Sequence, residues 1–104
     1  MAIAKTQHRL ADYLTDNQVE LIHVSDVLKH FVINLKRGER KACGGAFHPE
    51  VSFYVVEGEG TISIGDEAHE VKAGDLLICP QGKPHAFTAS SDKFSIFVSL
   101  PMKQ

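Results

Sequence analysis

Two histidines stand where the chain's punctuation fixes their surroundings. His85 follows the run PQGKP, Pro80 to Pro84, in which a glycine lies between two prolines. His48 directly precedes Pro49. An imidazole held in such a place can accept a proton, donate one, or bind a metal through a ring nitrogen, all near neutral pH. Other reactive types lie close by in sequence: Cys43, Glu50 and Tyr54. A phenol beside a histidine base can serve as an acid, though core packing is the simpler reading of Tyr54. Cys43, next to Gly44 and Gly45, can be an exposed thiol. Cys79, between Ile78 and Pro80, reads as a small core residue. His8, His23, His30 and His69 show no ligand spacing. His69 shares a strand face with Val71, where partial exposure is expected.

Short β-strands must position these groups. VELIHVSD (Val19 to Asp26) alternates as a strand does, and HFVINLKRGE (His30 to Glu39) is a second strand running into a turn at Gly38. LKRGERK (Leu35 to Lys41) is the most basic run and reads as a solvated loop. VSFYVVEGEGTISIG (Val51 to Gly65) reads as two strands folded back as a hairpin at Glu57 to Gly60, where glycine supplies the turn. EAHEVKAGD (Glu67 to Asp75) gives a strand and a turn. LLICP (Leu76 to Pro80) is a strand closed by a proline that cannot donate to a ladder. PHAFTA and KFSIFVSLP (Lys93 to Pro101) supply two more. About eight strands with turns every 8–12 residues or so describe a sandwich or barrel. Only QHRLADYL (Gln7 to Leu14) has helical spacing, as a short helix or an irregular arm. Phe47, Phe53, Phe87 and Phe97 are spaced to line a β interior, and could form an apolar pocket with few polar groups.

Composition narrows the partners. The chain has 104 residues, enough for one domain with a modest core. Its net charge of -2 and its lack of a basic stripe give no footprint for nucleic acid. No apolar stretch approaches the roughly 20 residues that span a bilayer, and the N-terminus has no apolar leader core. A cytoplasmic protein without a membrane partner is therefore expected. Two cysteines do not make a disulfide framework at this length, and are expected as free thiols.

The segment GDLLICPQGKPH resembles the second motif of the cupin superfamily: a glycine, five residues, Pro-x-Gly, two residues, then histidine. Gly74, Pro80, Gly82 and His85 match it at each spacing. FYVVEGEG (Phe53 to Gly60) is similar to the end of the first motif, which should precede the second by about twenty residues. The resemblance covers roughly residues 20 to 101. It implies an all-β, single-domain cupin jelly-roll barrel over 19–104, preceded by an N-terminal arm or short helix over 1–18. It also implies a homodimer, with the arm, apolar on one side, as the element to pack across the partner.

In metal-binding cupins the first motif supplies His-x-His and a glutamate, and the second-motif histidine completes the site. Here the first motif is eroded to CGGAFHPEVSFYVVEGEG. Aligned on His48, it has Ala46 at the first histidine position and Ser52 at the glutamate position. Aligned on Gly58, it has Val51 at the glutamate position. The resemblance therefore implies a reduced divalent-metal site of His48 and His85. Regular strand alternation would put Glu50 on the face of His48 as a third ligand, unless a bulge at Pro49 resets the parity. Such a site suits Fe, Mn, Ni or Zn, with dioxygenase- or isomerase-type chemistry on a small molecule in the barrel. The alternatives are a metal-free cupin that uses histidine as an epimerase-like base, and a non-catalytic ligand-binding or structural domain.

Overall fold

The computed structural model describes residues 6–43 and 48–102. The expectations for Ala46 and Phe47 lie outside the described residues. Nine strands follow a four-residue 3-10 turn at Leu10–Tyr13: β1 (Val19–Val24), β2 (Leu28–Lys36), β3 (Arg40–Cys43), β4 (Val51–Glu57), β5 (Glu59–Ile64), β6 (Glu67–Lys72), β7 (Leu76–Cys79), β8 (His85–Ala89) and β9 (Lys93–Pro101). They form two antiparallel sheets, in the orders β1-β2-β9-β4-β7 and β3-β8-β5-β6. The architecture is the all-β jelly roll that the strand pattern and motif spacing lead one to expect.

Alternation assembles the core. Val51, Phe53 and Val55 of β4 are buried, while Ser52 and Tyr54 between them are not. Phe94, Ile96 and Val98 of β9 and Ile33 and Leu35 of β2 extend the same inner face. Phe87 and Ile62, cross-strand partners in the second sheet, meet it from the other side. Phe53 and Phe87 pack edge to face with ring centroids 4.9 Å apart, and each full burial of this kind stabilises by about 1.5–3 kcal/mol.

Three expectations change. First, Val51 to Gly65 is not a hairpin. β4 pairs with β7 and β9, whereas β5 pairs with β6 and β8, so the chain crosses from one sheet to the other at Gly58. The glycine is still required, since a Cβ there would collide with the Lys93 carbonyl oxygen. Second, the basic run is only partly loop: Arg40 and Lys41 begin β3, which pairs with Thr88 and Phe87 of β8. Third, Phe97 faces outward, opposite Val32 and Tyr54 and against the His30 ring at 5.3 Å. The described part of the arm lies on its own sheet, where Asn34 Nδ2 donates to the carbonyls of Tyr13 (2.9 Å) and Asn17 (3.0 Å).

Candidate functional site

The site lies at the end of the barrel where β7 finishes and β4 and β8 begin. A turn connects β7 to β8. Lys83 N–H donates to the Pro80 carbonyl at 3.3 Å, and Gly82, the third residue of the turn, has φ +80°. That is the pattern of a type II turn, which favours glycine at this position. Gly82 N–H also donates to the His48 carbonyl at 3.1 Å, tying the loop before β4 to the turn. The turn thus places His85 as the first residue of β8 and holds His48 beside it.

The two histidine rings meet perpendicularly, centroids 5.3 Å apart. His85 also packs on Phe53 (4.9 Å) and Phe87 (5.6 Å), so its base is embedded in the aromatic core. Its pKa is pushed below the ordinary imidazole value, first by burial and then by the charge of His48, with a backbone hydrogen bond at Lys83 opposing. The ring nitrogens of His48 face two carbonyl oxygens, of Pro49 at 2.6 Å and of Lys83.

A third group that sequence reasoning assigned only to the core joins them. Cys79, the last residue of β7, is fully buried with Sγ 3.6 Å from His85 Nδ1 and 3.4 Å from the Lys83 carbonyl oxygen. Burial raises its pKa, with Lys83 opposing. The ligand atoms of His48, Cys79 and His85 lie within 4.8 Å of one another. The available signal was the inward parity of Cys79 one residue before the Pro80 turn; the approach of residue 48 was not readable locally.

Glu50 is not part of this group. β4 starts at Val51, so strand alternation does not carry back to Glu50 or His48. Glu50 is exposed and borders a separate groove with Ile78 and Ser99. Tyr54 lies on the outer face, opposite Leu76 and Phe97, away from both histidines. His69 is partly exposed, with Glu67 at 3.5 Å. Both cysteines are free, and Cys43 pairs across strands with His85.

Between the sheets at this end lies a cavity of about 200 Å³. Phe31, Ile33, Val51, Phe53, Val98 and Leu100 line one side, and Cys43, His85 and Phe87 the other. His48, Pro49 and Lys29 complete the lining, with no carboxylate among the described residues. Lys29 Nζ stands 5.3 Å from the Phe31 ring centroid. Larger depressions of about 580 and 640 Å³ open on the surface, but neither brings both histidines against an apolar wall.

The fold and this site define a small jelly-roll barrel with histidines at one mouth. A cupin-domain model matches residues 44–100, more than half of the chain, and the chain belongs to the cupin family. Its structure is similar to that of an RmlC-like cupin protein from Desulfovibrio desulfuricans, with 23% identity, a TM-score of 0.82 and coverage of 97% of this chain and 100% of that one. It is also similar to TT1209 from Thermus thermophilus (19%, TM-score 0.79, 94% and 98%). A third similar structure is KdgF from Halomonas sp. (16%, TM-score 0.73, 83% and 78%). No curated protein matches the chain.

The three-histidine, one-carboxylate set of metal-binding cupins does not fit these residues. Among the described residues only two imidazoles meet, and the nearest carboxylate in sequence, Glu50, is elsewhere. The group that does meet has two nitrogens and one sulfur.

Proposed function

We propose that this cupin binds a compact organic acid in the cavity between its sheets, with His48 and His85 at the polar end and a divalent ion held between them. The observation that carries this reading is the make-up of the cavity wall: aliphatic and aromatic side chains, one ammonium, two imidazoles and no carboxylate among the described residues. Such a wall favours an apolar body and an anionic head, as small-molecule sites combine apolar lining with few polar groups. The lining has few hydrogen-bonding groups, which disfavours a sugar. Lys29 supplies the cation for the acid group, and the Phe53–Phe87 pair packs against His85 and shields it from water. A bound divalent ion would supply Lewis acidity toward the ligand's head group.

The perpendicular His48–His85 pair, ring centroids 5.3 Å apart, favours a second reading, a metal-free acid–base enzyme in which one imidazole accepts a proton and the other donates one. A neutral imidazole at pH 7 is a competent base.

Both are tested by calorimetric titration of untagged protein with short aliphatic and aromatic carboxylates, before and after chelation. Saturable binding that a His85→Ala variant weakens, and that a Leu100→Trp variant blocks by filling the cavity, supports the ligand reading. Binding that chelation leaves unchanged favours the metal-free form. No carboxylate binding in either state rejects the organic-acid assignment.

A further inference from the structure

We propose that Cys79 is a metal ligand, joining His48 and His85 in a two-nitrogen, one-sulfur site for zinc(II). The inference deepens the reading above and rests on it, since it takes the two histidines to hold an ion. The separation of Cys79 Sγ from His85 Nδ1 is 3.6 Å. In a tetrahedral site with Zn–S of about 2.3 Å and Zn–N of about 2.0–2.1 Å, sulfur and nitrogen stand about 3.5 Å apart. That edge of the tetrahedron is already set in the fold. All three ligand atoms lie within 4.8 Å of one another, so the remaining closure is small.

His48 is oriented for the same role. A neutral imidazole carries one N–H, so it cannot donate to both the Pro49 and the Lys83 carbonyls. Metal-bound histidines usually give their free ring N–H to a carbonyl or carboxylate. The 2.6 Å contact from Nδ1 to the Pro49 carbonyl has that form. Nε2 meets the Lys83 carbonyl, the oxygen that Cys79 Sγ also contacts, so an ion held by Nε2 and Sγ would displace that one carbonyl from both. Cys79 itself has only long contacts to oxygen, at 3.4 and 3.7 Å. The three side chains thus converge on one point, beside a cavity wall that holds no carboxylate among the described residues.

The donor types choose the ion. Thiolate with imidazole suits zinc, whereas magnesium, calcium and manganese prefer oxygen. Three protein ligands leave one tetrahedral position open, the coordination of catalytic zinc sites.

The test uses untagged full-length chain loaded with cobalt(II) as a spectroscopic stand-in, and with zinc(II). One cobalt per chain is expected, with the intense visible bands of a tetrahedral ion and a near-ultraviolet thiolate-to-cobalt charge-transfer band. Cys79→Ser should remove that band and weaken zinc binding by more than about 10-fold, the least that losing even an outer partner of a zinc ligand costs. Cys43→Ser, on the cavity wall beside His85, should keep both. Because Cys79 is buried, zinc-edge X-ray absorption of the parent protein supplies a measurement that needs no variant. One sulfur at about 2.3 Å is expected. Zinc bound with nitrogen and oxygen neighbours alone, or a charge-transfer band lost with Cys43 and not with Cys79, overturns the assignment and leaves the two-histidine reading intact. A parent chain that binds neither ion overturns both.

Discussion

At the scale of single residues, two thiols on one barrel should behave differently. Cys79 is fully buried and its pKa is raised by that burial, whereas Cys43 is half-buried on the cavity wall. A thiol reagent attacks the thiolate and needs access to it. Native metal-free protein should therefore be labelled once, at Cys43, and a second time only on unfolding; peptide mapping after a short pulse checks this. His30 gives a pH effect of known sign. Burial lowers its pKa below 6.5, helped by the charges of His23 and His8. The folded state then takes up its proton later than the unfolded state as pH falls. Well above 6.5 both forms are neutral and the residue contributes no pH dependence. Stability is lost as pH falls from about 6.5 toward the lowered folded value, so His30→Gln should flatten the acid side of a melting-temperature profile.

At the scale of elements, the Pro80–Lys83 turn positions the site, and Gly82 makes that turn possible with its φ of +80°. Gly82→Ala puts a Cβ in a left-handed conformation, at a cost of about 1–2 kcal/mol. It also disturbs the Lys83 carbonyl and the Gly82–His48 hydrogen bond. Denaturant unfolding should report that loss, and ligand or metal affinity should fall more than the same loss of stability would cause elsewhere. This turn was legible in the sequence because its signals are local: proline, glycine and histidine at fixed spacing. The buried faces of β4 and β9 were legible for the same reason, since alternation is a property of neighbouring residues. The Gly58 crossing was not, because a corner between sheets and a hairpin within one use the same glycine and acidic residues. Only the partners of β4 and β5, distant in sequence, tell them apart. β3 was hidden because four residues with exposed charges alternate too briefly to stand out from a loop. Cys79 was legible as core but not as a site residue, because His48 reaches it through a hydrogen bond between two turns.

At the scale of the whole molecule, the outer face of the five-stranded sheet is unusually apolar. Leu76, Tyr54 and Phe97 are successive cross-strand partners, and Ile78 follows Leu76 along β7; Val32, next in the row, is already fully buried within the single chain. Leu76 is 63% exposed, Ile78 50% and Tyr54 39%. A row of this kind on the wet side of an antiparallel sheet departs from the usual polar outer face. A second copy is the occupant we infer, because a two-fold axis through the row sets this one apolar patch against its own copy, each contact made twice, in an interface that closes on itself and leaves no open end. The described part of the arm, held to its own sheet by Asn34, need not cross to the partner for this contact. Light scattering at micromolar concentration should give twice the 11.4 kDa chain mass. Leu76→Asp with Ile78→Asp should halve that mass while leaving the circular dichroism spectrum unchanged, since both side chains already face solvent in the single chain. The cavity opens between the sheets, not on this outer face, so the monomeric variant should keep its carboxylate affinity. A parent protein that runs as a monomer rejects the dimer. A variant that loses ligand binding together with its partner would mean that the second copy completes the site.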